Sequence, residues 1–211
     1  EAEIIQQFKG ASVSVAQNIP SRPMSDPTQR IARGEGAWKL VVLGRVHPKK
    51  NIEFGLKALG KALVSIPNPP RVEVQIIGSA EDLKYTEGLL NYSGEPAGLS
   101  VRHLGALPPR GVSEALAQAH YVLMPTHHEN FGHAIVEGWA HGCLVLLSDC
   151  TPWKGLESLG IGWDWPLDEA TWVEGLARAI ALDDATWGSR STQAMRYFED
   201  VVRQHGSERR L

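Results

Sequence analysis

The stretch Met124 to Asp149, MPTHHENFGHAIVEGWAHGCLVLLSD, decides the fold, because one continuous run holds a strand end, a polar turn, a helix and the next strand. Tyr121 to Met124 is an apolar run with the length of a buried strand, and Pro125 to Asn130 is a polar turn that ends it. Phe131 to His141 reads as a helix with Ile135, Trp139 and Ala140 recurring on one side, and Gly142 is placed to stop it. Leu144 to Leu147 is a second apolar run. Strand, loop, helix and strand in succession form the repeating piece of a parallel sheet.

The same alternation extends toward the N-terminus. Trp38 to Leu43 reads as a strand, Ile52 to Ser65 as a helix with Ile52, Leu56, Leu59 and Leu63 on its inner face, and Val72 to Ile77 as a strand. Glu81 to Tyr92 reads as an exposed helix, Val101 to Leu104 as a strand, and a short helix runs to Ala119 with Ser113 as its cap. Toward the C-terminus, Gly160 to Trp165 is a short strand, and Asp168 to Leu182 and Thr186 to Gln204 are helices. Strands that alternate with helices predict an α/β fold, a Rossmann-like doubly wound parallel sheet with helices on both faces. Residues 1–37 read as an arm and linker, 38–185 as the sheet domain and 186–211 as a C-terminal helix.

In such a sheet, ligands bind where strands end and helices begin, and the N–H groups of a helix N-terminus can hold an anion. Glu129 lies in the loop before the Phe131 helix and Glu137 in its second turn, eight positions on. Ionised carboxylates are acceptor-only groups, suited to the hydroxyls of a ribose or a hexose. Either glutamate alone is more simply a solvated charge; beside them, Gly132 lets a ligand approach the backbone. A second strand-to-helix crevice follows Gly44, where Arg45 offers a planar fork of donors and Lys50 a mobile point charge, the two chemistries used on phosphate oxygens. Taken alone, that cluster is a solvated basic turn.

Glu129-Asn130-Phe131-Gly132, followed by Glu137, Ala140, Gly142 and a Leu-Val-Leu-Leu strand, resembles the E-x7-E signature of retaining glycosyltransferases of family 4, which have the GT-B architecture. Gly44-Arg45 with Lys50 five residues after the arginine is similar to that family's G-R-x4-K pattern. The resemblance implies the donor-binding half of a GT-B fold. Arg45, Lys50 and Glu129 would be catalytic, with the two cations on the diphosphate of a nucleotide-sugar and Glu129 on hydroxyls of the transferred sugar. Glu137 would hold the ribose. Asn130, Phe131, Gly132, Gly44, Gly78 and Gly105 would complete the donor site, the last two beside the base. It further implies a nucleoside-diphosphate sugar as donor substrate, no cofactor, no metal, and a glycan, lipid or small-molecule acceptor. One passage departs from the pattern: where the family often has Gly-Gly-x-x-Glu, this chain has Thr151-Pro152-Trp153-Lys154-Gly155-Leu156-Glu157. His133-Ala134 after Gly132 is also unusual for the family.

The 211 residues suffice for a sizeable core, and 43% hydrophobic with 21% charged residues is an ordinary globular composition. A net charge of −3 gives no general attraction to nucleic acid or anionic membrane. No apolar run nears the roughly 20 residues of a membrane span, and the first residues do not read as a signal peptide. The chain starts at Glu1 without Met, and Val-Ala-Gln-Asn-Ile-Pro, residues 15–20, is similar to the entry into the family's second domain. The expectation is a cut piece whose acceptor-binding N-terminal domain is missing, in a cytoplasmic protein, with membrane contact through that domain as an option. Cys143 and Cys150 flank one strand, roughly 23 Å apart if extended, too far for a disulfide.

Other chemistries fare worse. His127, His128, His133 and Glu129 lie within seven residues, but their spacing is not H-E-x-x-H, and a polar loop lining a sugar site is the plainer reading. P-loop, G-x-G-x-x-G, D-x-D and G-x-S-x-G patterns are absent from the sequence. Two alternatives remain: a sugar-nucleotide epimerase of related fold, and a non-catalytic nucleotide- or partner-binding module using Trp153, Trp163, Trp165 and Trp172 as a contact surface.

Overall fold

The structure, a computed structural model, describes residues 36–94 and 96–207. Of the expected arm and linker, residues 1–35 lie outside the described residues.

Six parallel strands form one sheet: β1 (Trp38–Leu43), β2 (Val72–Ile77), β3 (Leu99–Gly105), β4 (Tyr121–Met124), β5 (Leu144–Ser148) and β6 (Gly162–Trp165). Their order is β3-β2-β1-β4-β5-β6. The helices between and after them are α1 (Ile52–Ser65), α2 (Leu83–Leu90), α3 (Pro109–Gln118), α4 (His133–Ala140), α5 (Glu169–Ile180) and α6 (Asp184–Ser207). This is the predicted Rossmann-like arrangement, and its order has one reversal. From β1 the chain winds outward to β2 and β3, then returns to place β4 on the other side of β1. Connections leaving β1 and β4 diverge to opposite sides, so a crevice opens between the carboxyl ends of these two strands.

Central strands covered on both faces must be apolar throughout. Every residue of β4 and of β5 is buried, and the two pair in register from Tyr121 with Leu144 to Met124 with Leu147. Helix α4 covers them with Ile135, Val136, Trp139 and Ala140. The α1 face predicted from periodicity, Ile52, Leu56, Leu59 and Leu63, is buried as well. At the opposite end of the sheet, two buried polar tips are satisfied by α5: Trp38 Nε1 donates to Ile180 O at 2.7 Å and the Tyr121 hydroxyl to Ala179 O at 2.6 Å. Helix α6 sends Trp187, Ala194, Phe198 and Val201 into the same core, and Trp187 lies against Trp38 and His120.

Three local expectations need correction. Ser113 does not cap α3, which starts at Pro109 behind Pro108; it lies inside the helix and bonds the His141 Nε2 at 2.8 Å. Proline at the first position needs no N–H partner, which moves the start upstream. Helix α2 begins at Leu83, two residues later than read, because Asp82 caps it by accepting from Tyr85 N at 2.9 Å, and it is not wholly exposed, since Thr86 and Leu89 are buried. Helix α4 begins at His133, since Gly132 is left-handed at φ 81° and serves as its cap. Both cysteines are free.

Trp163, Trp165 and Trp172 are core residues at 2%, 5% and 0% exposure. They pack on one another and, through Trp172, on Phe54. These three offer no surface to a partner, while Trp153, the fourth of the cluster, is half-buried. No helix among the described residues is long and apolar enough to cross a membrane.

Candidate donor site at the strand reversal

The crevice between β1 and β4 is lined by Val42, Leu43, Gly44, Arg45 and Lys50 from one side and Leu123, Met124 and Pro125 from the other. The loop after β1 turns through a single 3-10 turn, Pro48–Lys50, capped by His47 Nδ1, which accepts from Lys49 N at 3.1 Å. Asn51 then adopts the left-handed conformation and releases the chain into α1. Lys50 is thereby turned back toward the second loop. Its ammonium donates to Glu129 Oε2 at 2.7 Å, and the two side chains are only 28% and 19% exposed. Arg45 instead pairs with Glu81 at 2.9 Å in a more open position, 72% and 36% exposed.

The loop after β4 is held at several points. Ser148 Oγ donates to Thr126 O at 2.5 Å, Thr126 Oγ1 to His128 O at 2.9 Å, and His127 N to Lys49 O at 3.3 Å. Glu129 N donates to Cys150 O at 3.2 Å, and Asn130 N folds back on Glu129 Oε1 at 3.2 Å. His128 Nε2 and Asn130 Oδ1 are 2.8 Å apart, an arrangement that leaves the Asn130 amide nitrogen available. Phe131 stands against His133 and Trp153, at ring separations of 5.1 and 5.5 Å.

Gly44, Gly78 and Gly105 form a row along the carboxyl edge. Gly44 N donates to Ile77 O at 2.9 Å, and Gly78 N to Gly105 O at 2.8 Å. Gly78 lies so close to Gly44 that a Cβ there would run into the Gly44 carbonyl. His103 reaches the Gly78 carbonyl at 2.8 Å. The three glycines thus zip the strand ends together beneath Arg45.

Glu137 sits one turn into α4, half-buried, and its carboxylate makes no hydrogen bond among the described residues. Burial pushes its carboxyl above the ordinary value of 4.5, and the charge of His133, one helical turn back, pulls partly the other way. A carboxylate in this state gains from hydroxyl donors. The N–H groups of Gly132, His133 and Ala134 likewise carry no hydrogen bond among the described residues, so the start of α4 presents donors and a positive dipole end.

A wider cleft of about 660 Å³ borders the Pro48–Lys50 turn, lined by Glu53, Asp82, Tyr85 and Tyr92 among others. Glu53, Tyr85 and Tyr92 are bonded to one another there: the Tyr85 hydroxyl accepts from Glu53 N at 3.1 Å and Tyr92 donates to Glu53 Oε1 at 3.1 Å. The reversal crevice differs in bringing two cations, Arg45 and Lys50, to the ends of the two diverging strands. No set of three metal-binding side chains converges among the described residues, so the His127, His128, His133 and Glu129 group does not assemble into a metal site.

The structure therefore brings Gly44, Arg45 and Lys50 to one crevice and joins Glu129 to it through Lys50; Asn130, Phe131 and Gly132 follow Glu129 in the same loop, Gly78 and Gly105 lie at the neighbouring strand ends, and Glu137 is on the helix that follows. It parts Arg45 from Lys50 by pairing each with its own carboxylate. Two participants were not foreseen. Glu81 has no sequence signal beyond being a charge after a strand. Trp153 had one, an aromatic inside the passage that departs from the family pattern.

Known proteins share this fold. The family described as "Glycosyl transferases group 1" matches residues 37–180, most of the chain. The chain belongs to the group 1 glycosyltransferases. Among solved structures, HepE of Anabaena in complex with UDP and glucose superposes with a TM-score of 0.62 at 19% identity, over 79% of this chain and 45% of HepE. WaaG, a glycosyltransferase involved in lipopolysaccharide biosynthesis, gives 0.62 at 18% over 77% and 43%. The C-terminal domain of LpcC, a group 1 family protein from Francisella tularensis, gives 0.61 at 18% over 79% and 85%. The chain thus spans less than half of HepE and WaaG but most of an isolated C-terminal domain, and its fold is that of a GT-B C-terminal domain. Curated protein sequences contain no match.

Proposed function

We propose that this chain is the donor-binding half of a retaining, metal-independent glycosyltransferase of family 4, which moves a hexose-type sugar from a nucleoside-diphosphate sugar to an acceptor hydroxyl held by a second domain. The observation that carries the reading is the Lys50–Glu129 contact of 2.7 Å across the mouth of the reversal crevice. It puts a cation suited to phosphate and a carboxylate suited to sugar hydroxyls side by side.

In this reading the nucleoside enters with its ribose diol donating to Glu137, whose raised affinity for protons marks a carboxylate short of donors. The diphosphate lies between Arg45, Lys50 and the free N–H groups at the start of α4. Glu129 orients the sugar while remaining paired to Lys50. As the bond from the anomeric carbon to the diphosphate oxygen breaks, negative charge grows on the diphosphate, where the two cations and the helix N-terminus stabilise it. The acceptor oxygen bonds to the anomeric carbon on the face the diphosphate leaves, its proton passing to the departing diphosphate oxygen, which retains configuration. HepE, crystallised with UDP and glucose, supports a nucleotide-sugar donor.

Calorimetric titration with UDP, GDP, ADP and their common sugar conjugates, with and without EDTA, tests the reading. Saturable, EDTA-insensitive binding of one nucleotide, lost in Arg45→Ala/Lys50→Ala, is expected. Binding that survives the double substitution, or that EDTA abolishes, overturns it.

A further inference from the structure

The segment after β5 clamps the segment after β4. Ser148 Oγ holds Thr126 O, Cys150 O holds Glu129 N, and Trp153 Nε1 donates to Phe131 O at 2.6 Å. The last contact is the shortest made by an indole N–H among the described residues that hold one. The Trp153 ring is itself fixed, edge-on to Trp139 at 4.9 Å and to Phe131 at 5.5 Å. Trp139 is fully buried in α4, so the indole is braced by the core.

The bond has a directional consequence. A trans peptide is planar, and its C=O and N–H point in opposite directions. The carbonyl of Phe131 and the N–H of Gly132 belong to one peptide. Holding the carbonyl on Trp153 therefore aims the Gly132 N–H away from Trp153, and that N–H has no acceptor among the described residues. Gly132, left-handed at φ 81° and ψ 62°, has the conformational range to let this peptide flip if nothing held it.

We propose that Trp153 is a positioning residue of the donor site: its indole N–H locks the Phe131–Gly132 peptide so that the Gly132 N–H faces the β-phosphate and sugar of the nucleotide-sugar. This rests on the donor-site reading above. Trp153 touches neither phosphate nor sugar; it acts through the peptide. The aromatic residue in the passage after β5 then stiffens the loop that carries Glu129.

Two variants isolate the N–H. Trp153→Phe keeps an aromatic ring and removes the donor. Replacement of Trp153 by β-(3-benzothienyl)alanine through codon suppression keeps the indole shape, with sulfur in place of N–H. Calorimetry on each, with UMP, UDP and UDP-glucose and the guanosine and adenosine equivalents (with mannose and glucose), gives the readout. Wild type is expected to bind one base series. Both variants should bind the sugar conjugate about tenfold more weakly, with the monophosphate, which lacks the groups facing Gly132, changed less than about twofold. A purely structural role would weaken all three ligands in proportion. Proportional losses, or wild-type affinity restored by the benzothienyl variant, overturn the role of Trp153 while leaving the donor-site reading standing. A wild-type chain that binds no nucleotide of the panel overturns the donor-site reading and this inference with it.

Discussion

Lys50 Nζ lies 2.7 Å from Glu129 Oε2, joining the loop after β1 to the loop after β4 across the point where the strand order reverses. The pair is mostly shielded, so each charge depends on the other more than a surface pair would. Lys50→Ala leaves a half-buried carboxylate unpaired and Glu129→Ala an unpaired ammonium. Each single substitution is expected to destabilise the domain by about 1–2 kcal/mol, and the double by less than their sum, with a coupling of about 1 kcal/mol in urea denaturation. Additive losses would show that the loops are held by their backbone contacts alone.

The Arg45–Glu81 pair behaves differently because it is open to water. An exposed pair contributes roughly 0.2–1 kcal/mol, so Glu81→Gln is expected to leave the denaturation midpoint almost unmoved. Yet Glu81 occupies the guanidinium that the diphosphate would take. Freed of that competitor, Arg45 should bind a nucleoside diphosphate about 2–5-fold more tightly at low ionic strength, the gain shrinking as salt screens it. Calorimetry at two salt concentrations decides; equal affinity of variant and wild type at low salt would place the diphosphate away from Arg45.

Much of this was legible in the chain. The bounds of β1, β2, β4 and α1 follow directly from apolar runs and their periodicity, because buried parallel strands and amphipathic helices impose those patterns on sequence. Boundaries set by single residues were less so: Asp82 caps and trims α2, Pro109 at the first position extends α3, and neither leaves a mark in hydrophobicity. For the site, Gly44, Arg45, Lys50 and Glu129 were readable as motif positions. Their pairing was not, since which carboxylate meets which cation depends on the Asn51 turn and on the approach of two loops 79 residues apart. Trp153 shows the same limit. Its residue type was conspicuous, but its hydrogen bond to Phe131 O is a tertiary fact.

Glu137 predicts an opposition between stability and binding. Burial raises its proton affinity in the folded domain, with His133 partly offsetting this. A raised folded-state value means the folded form binds the proton more tightly than the unfolded chain does. Stability from this group is therefore fully present below the ordinary glutamate range near 4.5 and is lost as pH rises through the raised value. Glu137→Gln removes that loss. Its melting temperature should exceed that of wild type by a few degrees at neutral pH, on the order of 2–4 °C for about 1 kcal/mol, and the advantage should vanish toward pH 4. The same variant should lose about tenfold or more in nucleoside affinity, having exchanged a charged acceptor for a neutral one. A melting advantage independent of pH would mean that burial of the charge is not its cause.

Gly78 gives the sharpest steric test of how the carboxyl edge is built. Its φ of 151° is uncommon for side-chain-bearing residues, and a Cβ there would overlap the Gly44 carbonyl and lie 2.6 Å from the Gly44 carbon. The obstacle is backbone, not the end of a flexible side chain, so relief requires parting the ends of β1 and β2. That parting would break the Gly44 N to Ile77 O bond of 2.9 Å and shift Arg45, the next residue. Gly78→Ala is expected to destabilise the domain by about 2–4 kcal/mol. Its remaining folded fraction should bind nucleoside diphosphate more weakly, because Arg45 moves with Gly44. Gly105→Ala serves as the comparison: a Cβ there meets nothing within 4 Å, so only its φ of 71° opposes it, and a loss of roughly 1 kcal/mol is expected. Denaturation of the two variants side by side separates crowding from conformational strain; equal losses would show that the approach of Gly78 to Gly44 is not what closes the edge.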